Sequence, residues 1–301
     1  KRSKRLFTEK GVVPRVLAGN LGFVDLVYWH RLRHSRNTFI LGLGNQRCGT
    51  TWLYKYLNFS NRFDGGILKE YHIWDGLDIP AFREHRLISA EENSSAENQI
   101  RYQMQQNPDF YFNYFTSLYS EKCNLSADIT PSYSGLDKSR LKFIKHDFAR
   151  RGVPVKVVIS IRNPVERIKS AVQFNLDRQN YREGIERGTT DFGTALEQYY
   201  PTAHCQIRTN YHEMIERALD IFGRRNVYIA IFETMFSASE ISRLSKFLCI
   251  PETINLGAKK INKTKSEVPV FPVLERHIRD AYSDVYDYCL SQFPETRDFW
   301  R

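Results

Sequence analysis

The stretch Thr38 to Leu57, TFILGLGNQRCGTTWLYKYL, decides the fold. Its apolar opening, Phe39 to Leu43, has the composition of a strand buried on both faces. Gly44 to Thr51 follows as a loop with glycines at positions 44 and 49, and Trp52, Leu53, Tyr56 and Leu57 then recur at helical spacing. Strand, glycine-bearing loop and helix together form a phosphate cradle. The first amides of a helix lack intrahelical partners and sit at the positive end of its dipole. Gly49 lets backbone approach an anion, Thr50 and Thr51 add hydroxyl donors, and Arg47 supplies the cation. The spacing matches GxxxxG of the nucleotide-triphosphate P-loop, but Thr50 stands where that motif needs lysine. A tight turn with no ligand would need only the glycine, so the arginine and two threonines favour an anion site.

A second strand-to-helix junction lies at Val155 to Ser170. VKVVISI reads as a buried strand, and Asn163, Pro164 and Glu166 read as N-cap, first helical residue and capping-box partner. Arg162 therefore falls at the carboxyl end of a strand, where α/β sheets bind ligands. Capping explains Asn163, Pro164 and Glu166; it leaves Arg162 and Ser170 unexplained.

GNQRCGTTWL resembles the 5′-phosphosulfate loop of sulfotransferases that use 3′-phosphoadenosine 5′-phosphosulfate, and RNPVERIKS resembles their 3′-phosphate motif. Three further stretches follow the family order: KEYHIWD at Lys69, DITPSY at Asp128 and INKTKS at Ile261. The resemblance implies a P-loop-like sulfotransferase fold, that donor, and 3′,5′-adenosine bisphosphate as product. It implies donor contacts from Arg47, the Cys48, Gly49, Thr50 and Thr51 loop, Arg162, Ser170 and the late-loop lysines Lys263 and Lys265. Trp52 is either an adenine shelf or a core residue. Glu70 takes the place of the glutamate that deprotonates the acceptor in glycan-modifying relatives, with His72 the alternative base. Two positions depart from that branch: Ile129 replaces a lysine and Ser266 a glycine, which leans toward bacterial-type members.

The rest of the chain bounds these readings. A formal charge of +10 over 301 residues implies an anionic ligand, an acidic polymer or a basic tail. Five widely spaced cysteines without a CxxC pair argue against a disulfide framework or zinc site and favour a reducing, cytoplasmic setting. Sequons at Asn58, Asn93, Asn124 and Asn262 leave a trimmed Golgi-lumen fragment as the alternative. No apolar run is long enough to span a membrane. Residues 1–37 form a basic leader expected to pack on the domain, and its His30 and His34 read as a solvated face rather than metal ligands. Helices are expected at Asp137 to Arg150, Cys205 to Phe222, Ile241 to Leu248 and Phe271 to Tyr288, and a strand at Asn226 to Phe232. Phe110 to Phe115 reads as an inward helix face, and Gly65 to Asp75 as a short strand entering a loop.

The expectation is one α/β domain over 38–301, a mainly parallel sheet with helices on both faces. It would move a sulfuryl group to a hydroxyl or amine of a glycan, lipid or small-molecule acceptor, without metal or nucleic acid. The rivals are an ATP-dependent kinase and a non-catalytic basic module that binds anions.

Overall fold

The computed structural model describes residues 36–89, 95–253 and 270–300. Strands β1 (Thr38–Gly42), β2 (Leu125–Ile129), β3 (Val155–Ile161) and β4 (Val227–Ile231) form one sheet in the order β2-β1-β3-β4. Every pairing is parallel, with Leu41 opposite both Asp128 and Val157. In chain order the helices are α1 (Thr50–Asn58), α2 (Trp74–Asp78), α3 (Ala96–Gln106), α4 (Pro108–Ser117), α5 (Lys138–Arg150), α6 (Pro164–Asp177) and α7 (Phe192–Tyr199). They continue as α8 (Ala203–Ile207), α9 (Tyr211–Phe222), α10 (Ala238–Leu248), α11 (Pro272–Ala281) and α12 (Ser283–Gln292).

Alternate strand residues face opposite layers, as the two-residue period of a strand requires. Phe39, Leu41, Val157, Ile159 and Ile161 enter a core built with α4, α5, α6 and α9. Ile40, Val158, Tyr228 and Ala230 enter a second core with Trp52 and Tyr56 of α1 and Ile241 and Leu244 of α10. Both faces of the sheet are therefore covered, which is why its strands read as continuous apolar runs. Tyr111, Phe112 and Phe115 of α4 are fully buried, so that aromatic run is core.

Three expected elements differ. Cys205 to Phe222 is two helices, because the Thr209 hydroxyl takes the Cys205 carbonyl at 2.6 Å and the Thr209 amide turns to Gln206. The tail breaks at Tyr282, whose φ and ψ of −116° and 24° leave the helical range. Gly65 to Asp75 forms no strand. Phe63 forms an isolated bridge to Leu125 and the Ile129 amide donates to the Lys69 carbonyl at 3.1 Å, while tyrosine hydroxyls bond the backbone between them, Tyr71 to the Gly65 carbonyl and Tyr114 from the Ile67 amide, each at 2.9 Å.

Candidate active site

The loop after β1 is stapled to β3. The Asn45 amide and side-chain Nδ2 both donate to the Ser160 carbonyl at 3.0 Å, and the Ser160 amide returns to the Gly44 carbonyl at 3.1 Å. The loop ends at Gly49, whose φ of 89° lies in the left-handed region. A Cβ there would sit 2.7 Å from Met235 Sδ, so glycine is required twice over. No side chain caps α1, and its first-turn amides face the loop without an intrahelical acceptor. By contrast α3, α5, α6, α7 and α10 each begin on a side chain that caps a first-turn amide.

Arg47 also has a positive φ, 66°, which aims its side chain across the loop toward α6. There Arg47 Nε donates to Ser170 Oγ at 3.0 Å, while Arg162 Nη1 reaches the Arg47 carbonyl at 3.4 Å. Arg47 thus meets both Arg162 and Ser170, which lie far from it in sequence. Each guanidinium rests on a ring: Arg47 lies 4.8 Å from the Phe174 centroid and Arg162 4.6 Å from that of Phe232. Burial, then the neighbouring Arg162 charge, pulls the Arg47 pKa below its ordinary value. Ser170 and Phe174 are four apart on α6 and so share a face. The cap of that helix differs from the expected box: Asn163 Oδ1 accepts from the Val165 and Glu166 amides, but the Asn163 amide bonds Glu233, not Glu166. Glu166 instead lies 3.7 Å from both Arg162 and Lys169.

The second half of the site is the segment Lys69 to Asp75. Lys69 Nζ donates to Thr50 Oγ1 at 3.1 Å and is paired with Glu70, so one side chain joins the uncapped helix to this segment. His72 lies 3.4 Å from Glu70 through Nε2 and 2.7 Å from Asp75 through Nδ1, and Ser132 donates to the same Asp75 oxygen. Burial alone would make His72 easier to deprotonate, but its bonds to Asp75 and Glu70 win and hold its pKa at about 9. Burial likewise opposes the Glu70 charge, yet His72 and Lys69 bring that carboxyl down to about 2. At neutral pH the segment holds an imidazolium between two carboxylates. His72 already carries its proton there and has no free lone pair to accept another.

Other expected site residues stand elsewhere. Trp52 is 2% exposed, stacked on Tyr56 with a 5.3 Å centroid separation and edge-on to Phe236, which makes it a core residue with little surface for a base. The Cys48 amide closes a turn to the Asn45 carbonyl at 3.2 Å, and its thiol is fully buried and pushed up to about 12 by desolvation. Ile129 is fully buried against Gly42. Lys263, Lys265, His30 and His34 lie outside the described residues. Sequence reasoning assigned no role to Lys69, Asp75, Phe174 or His85. A lysine directly before the expected base was the one available signal.

A strand-loop-helix with an uncapped helix start, joined to an acid–imidazolium segment at the carboxyl edge of a parallel sheet, has the features of a group-transfer site. The sulfotransferase domain model matches residues 36–267, and the chain belongs to that family. The fold is shared with the crystal structure of a sulfotransferase from Alicyclobacillus acidocaldarius, at 20% identity and a TM-score of 0.55 over 86% of this chain and 96% of that one. The sulfotransferase domain of the Synechococcus PCC 7002 olefin synthase aligns at 14% identity and a TM-score of 0.47, over 82% of this chain and 94% of its own. Among curated proteins no sequence match was found. No helix among the described residues is long and apolar enough to cross a membrane.

Proposed function

We propose that this sulfotransferase takes its sulfuryl group from 3′-phosphoadenosine 5′-phosphosulfate and delivers it to a hydroxyl or amine of a glycan, lipid or small molecule. The observation that carries the reading is the Lys69 side chain, which spans from Thr50 in the cradle to Glu70, placing a carboxylate one lysine away from the anion site. The residues present fit such a donor. The first-turn amides of α1, the Thr50 and Thr51 hydroxyls and Arg47 suit the phosphosulfate, and Arg162 with Ser170 suits the 3′-phosphate that ATP lacks. When bound, the donor supplies an activated sulfuryl group on a phosphate leaving group.

The chain's own groups divide the remaining work. Glu70 receives the proton of the acceptor, being the ionised carboxylate of its segment that solvent and an acceptor can reach, whereas Asp75 is fully buried. Asp75 keeps His72 charged, and His72 keeps Glu70 ionised and directed. Movement of Lys69 from Glu70 toward donor oxygens would raise the Glu70 pKa, turning a weak base into a better one. Arg47 donates hydrogen bonds to charge that develops on the leaving phosphate and holds its own proton throughout. The five cysteines are all free, which supports the cytoplasmic setting over the Golgi lumen. The catalytic domain is taken as 38–301, with the basic leader 1–37 before it in sequence; the expected packing of that leader on the domain lies outside the described residues.

Thermal shift separates the donor readings. The bisphosphate product should stabilise the protein without magnesium. Greater stabilisation by ATP with magnesium would favour the kinase. A panel of acceptors with labelled donor then tests transfer, and a protein that binds the bisphosphate but sulfates nothing on a broad panel fits the non-catalytic module.

A further inference from the structure

We propose that His85 is a positioning residue of this site: its imidazole, stacked face to face on His72, holds His72 in the plane that joins Asp75 to Glu70. The inference rests on the reading of Glu70 as the base. Both nitrogens of His72 are engaged, Nδ1 by Asp75 and Nε2 by Glu70, so only the ring faces remain to be held. His72 sits at a left-handed φ of 54° outside any regular element, its amide donating to Thr130 Oγ1 at 3.4 Å, so no helix or strand fixes the ring. His85 covers one face, with centroids 3.7 Å apart and planes 21° from parallel.

The stack is built from below by α3. Gln105 Nε2 donates to the backbone carbonyls of both His72 and His85 at 2.9 Å, tying the two segments together at the stacked residues. Its Oε1 is taken by the Leu87 amide at 2.8 Å, which sets the orientation of the amide group. One turn earlier, Arg101 donates to the Tyr71 carbonyl at 2.6 Å and the His85 carbonyl at 3.3 Å. Two α3 side chains, four residues apart, thus clamp the partners of a single ring contact.

The electrostatics suit the contact. His85 faces Glu84 on its own turn, His72 and Asp75 across the stack, Arg101 from α3, and Arg208 beyond α8. Burial, then the charge of His72, lowers its pKa to about 4. At neutral pH an uncharged aromatic face meets a charged ring, an attraction that protonation of His85 would convert to repulsion. His72, Asp75 and His85 also bring ligand atoms within 4.8 Å of one another, as a metal site would. Stacked rings point their nitrogens along parallel lines rather than at one point, and Asp75 Oδ2 is already shared by His72 and Ser132, so the geometry favours support over chelation.

The test compares His85→Ala with His85→Phe in the full chain, reading turnover, bisphosphate affinity and the imidazole nitrogen resonances of His72 against pH. His85→Ala should lower kcat about ten- to a hundredfold through misplacement, with bisphosphate affinity unchanged. The His72 titration should fall from about 9 toward the ordinary 6.5. His85→Phe keeps a ring face, so it should recover most of the turnover and the high His72 titration, while losing any acid-side ionisation near pH 4 that His85 contributes. If His85→Ala fails to fold, His85→Leu, which keeps bulk without a ring, replaces it. Wild-type turnover and His72 titration in the ring-less variant overturn the proposal; so does a folded His85→Phe as inactive as His85→Ala, because the nitrogens rather than the face would then matter. The His72 titration is read without turnover, so an active Glu70→Gln would sink the base assignment separately.

Discussion

On the proposed reading, removal of the Glu70 or the Arg162 side chain should separate catalysis from binding. Glu70→Gln keeps size and one acceptor oxygen but cannot take up a proton. Turnover should drop by roughly 10²–10⁴ while bisphosphate affinity holds. Full turnover in Glu70→Gln would reject the carboxylate as base, and His72, protonated up to about pH 9, would be a poor replacement. Arg162→Ala should weaken bisphosphate binding by about 1.5–3 kcal/mol, measured by calorimetry, through loss of a charge-assisted contact. The fold should persist, because Asn163 caps α6 and accepts from Tyr286 at 2.9 Å without help from Arg162. Equal affinity in the variant would show that Arg162 does not touch the ligand.

At the scale of elements, the donor side depends on how two helices begin. α1 starts on a glycine with no side-chain cap, whereas α6 starts on a capping asparagine; in the proposed site the first contributes amides and the second side chains. Gly49→Ala should therefore damage both stability and binding. An L-residue in the left-handed region costs about 1–2 kcal/mol, and the new methyl group meets Met235 Sδ at 2.7 Å. Denaturant melts should show a destabilisation of at least that size, and thermal shift should show little response to the bisphosphate. A Gly49→Ala protein that melts and binds like the parent would mean the loop is not held as described. Asn163→Ala is the complementary change: it removes an N-cap, worth about 0.5–2 kcal/mol, and should lower the melting point while bisphosphate affinity at a temperature where the protein is folded stays near the parent value.

Across the whole molecule, two histidines shape stability against pH in opposite directions. His72 has a folded pKa of about 9, above its ordinary 6.5, so its contribution is complete below pH 6.5 and is lost as pH rises through 9. His85 has a folded pKa of about 4, below its ordinary 6.5, so stability falls as pH drops from 6.5 toward 4 and the unfolded chain takes the proton first. Denaturation across pH 4–9 should then give a maximum near the ordinary histidine value, 6.5. His85→Phe should flatten the acid side and His72→Asn the alkaline side; a profile unchanged by both variants would remove them as the source. A second global test is the buried Arg208–Glu183 pair, at 2.7 Å, which ties the segment after α6 to the end of α8. Glu183→Gln should destabilise by about 3–5 kcal/mol, because it strands a buried guanidinium; a change within experimental error would mean water reaches Arg208.

The sequence by itself determined the β1-loop-α1 unit, the β3–α6 junction and the two-faced parallel sheet. Those features are local: a continuous apolar run, a glycine where φ must be positive and an Asn-Pro helix start each act within a few residues. It also marked Arg47, Arg162, Ser170 and Glu70, through the motifs they stand in. Tertiary structure decided what those residues touch. That Arg47 reaches Ser170, that Lys69 bridges Thr50 and Glu70, and that Gln105 clamps His72 to His85 are contacts between segments far apart in the chain, set by the order β2-β1-β3-β4 and not by spacing. Trp52 shows the same division: its helical period was plain, but only the packing of its ring against Tyr56 on the same helix and Phe236 after β4 made it core rather than shelf. The protonation of His72 likewise depends on Asp75, whose carboxylate raises the His72 pKa through a 2.7 Å contact, and no residue pattern carries that contact; the proposal of Glu70 over His72 as base rests on it.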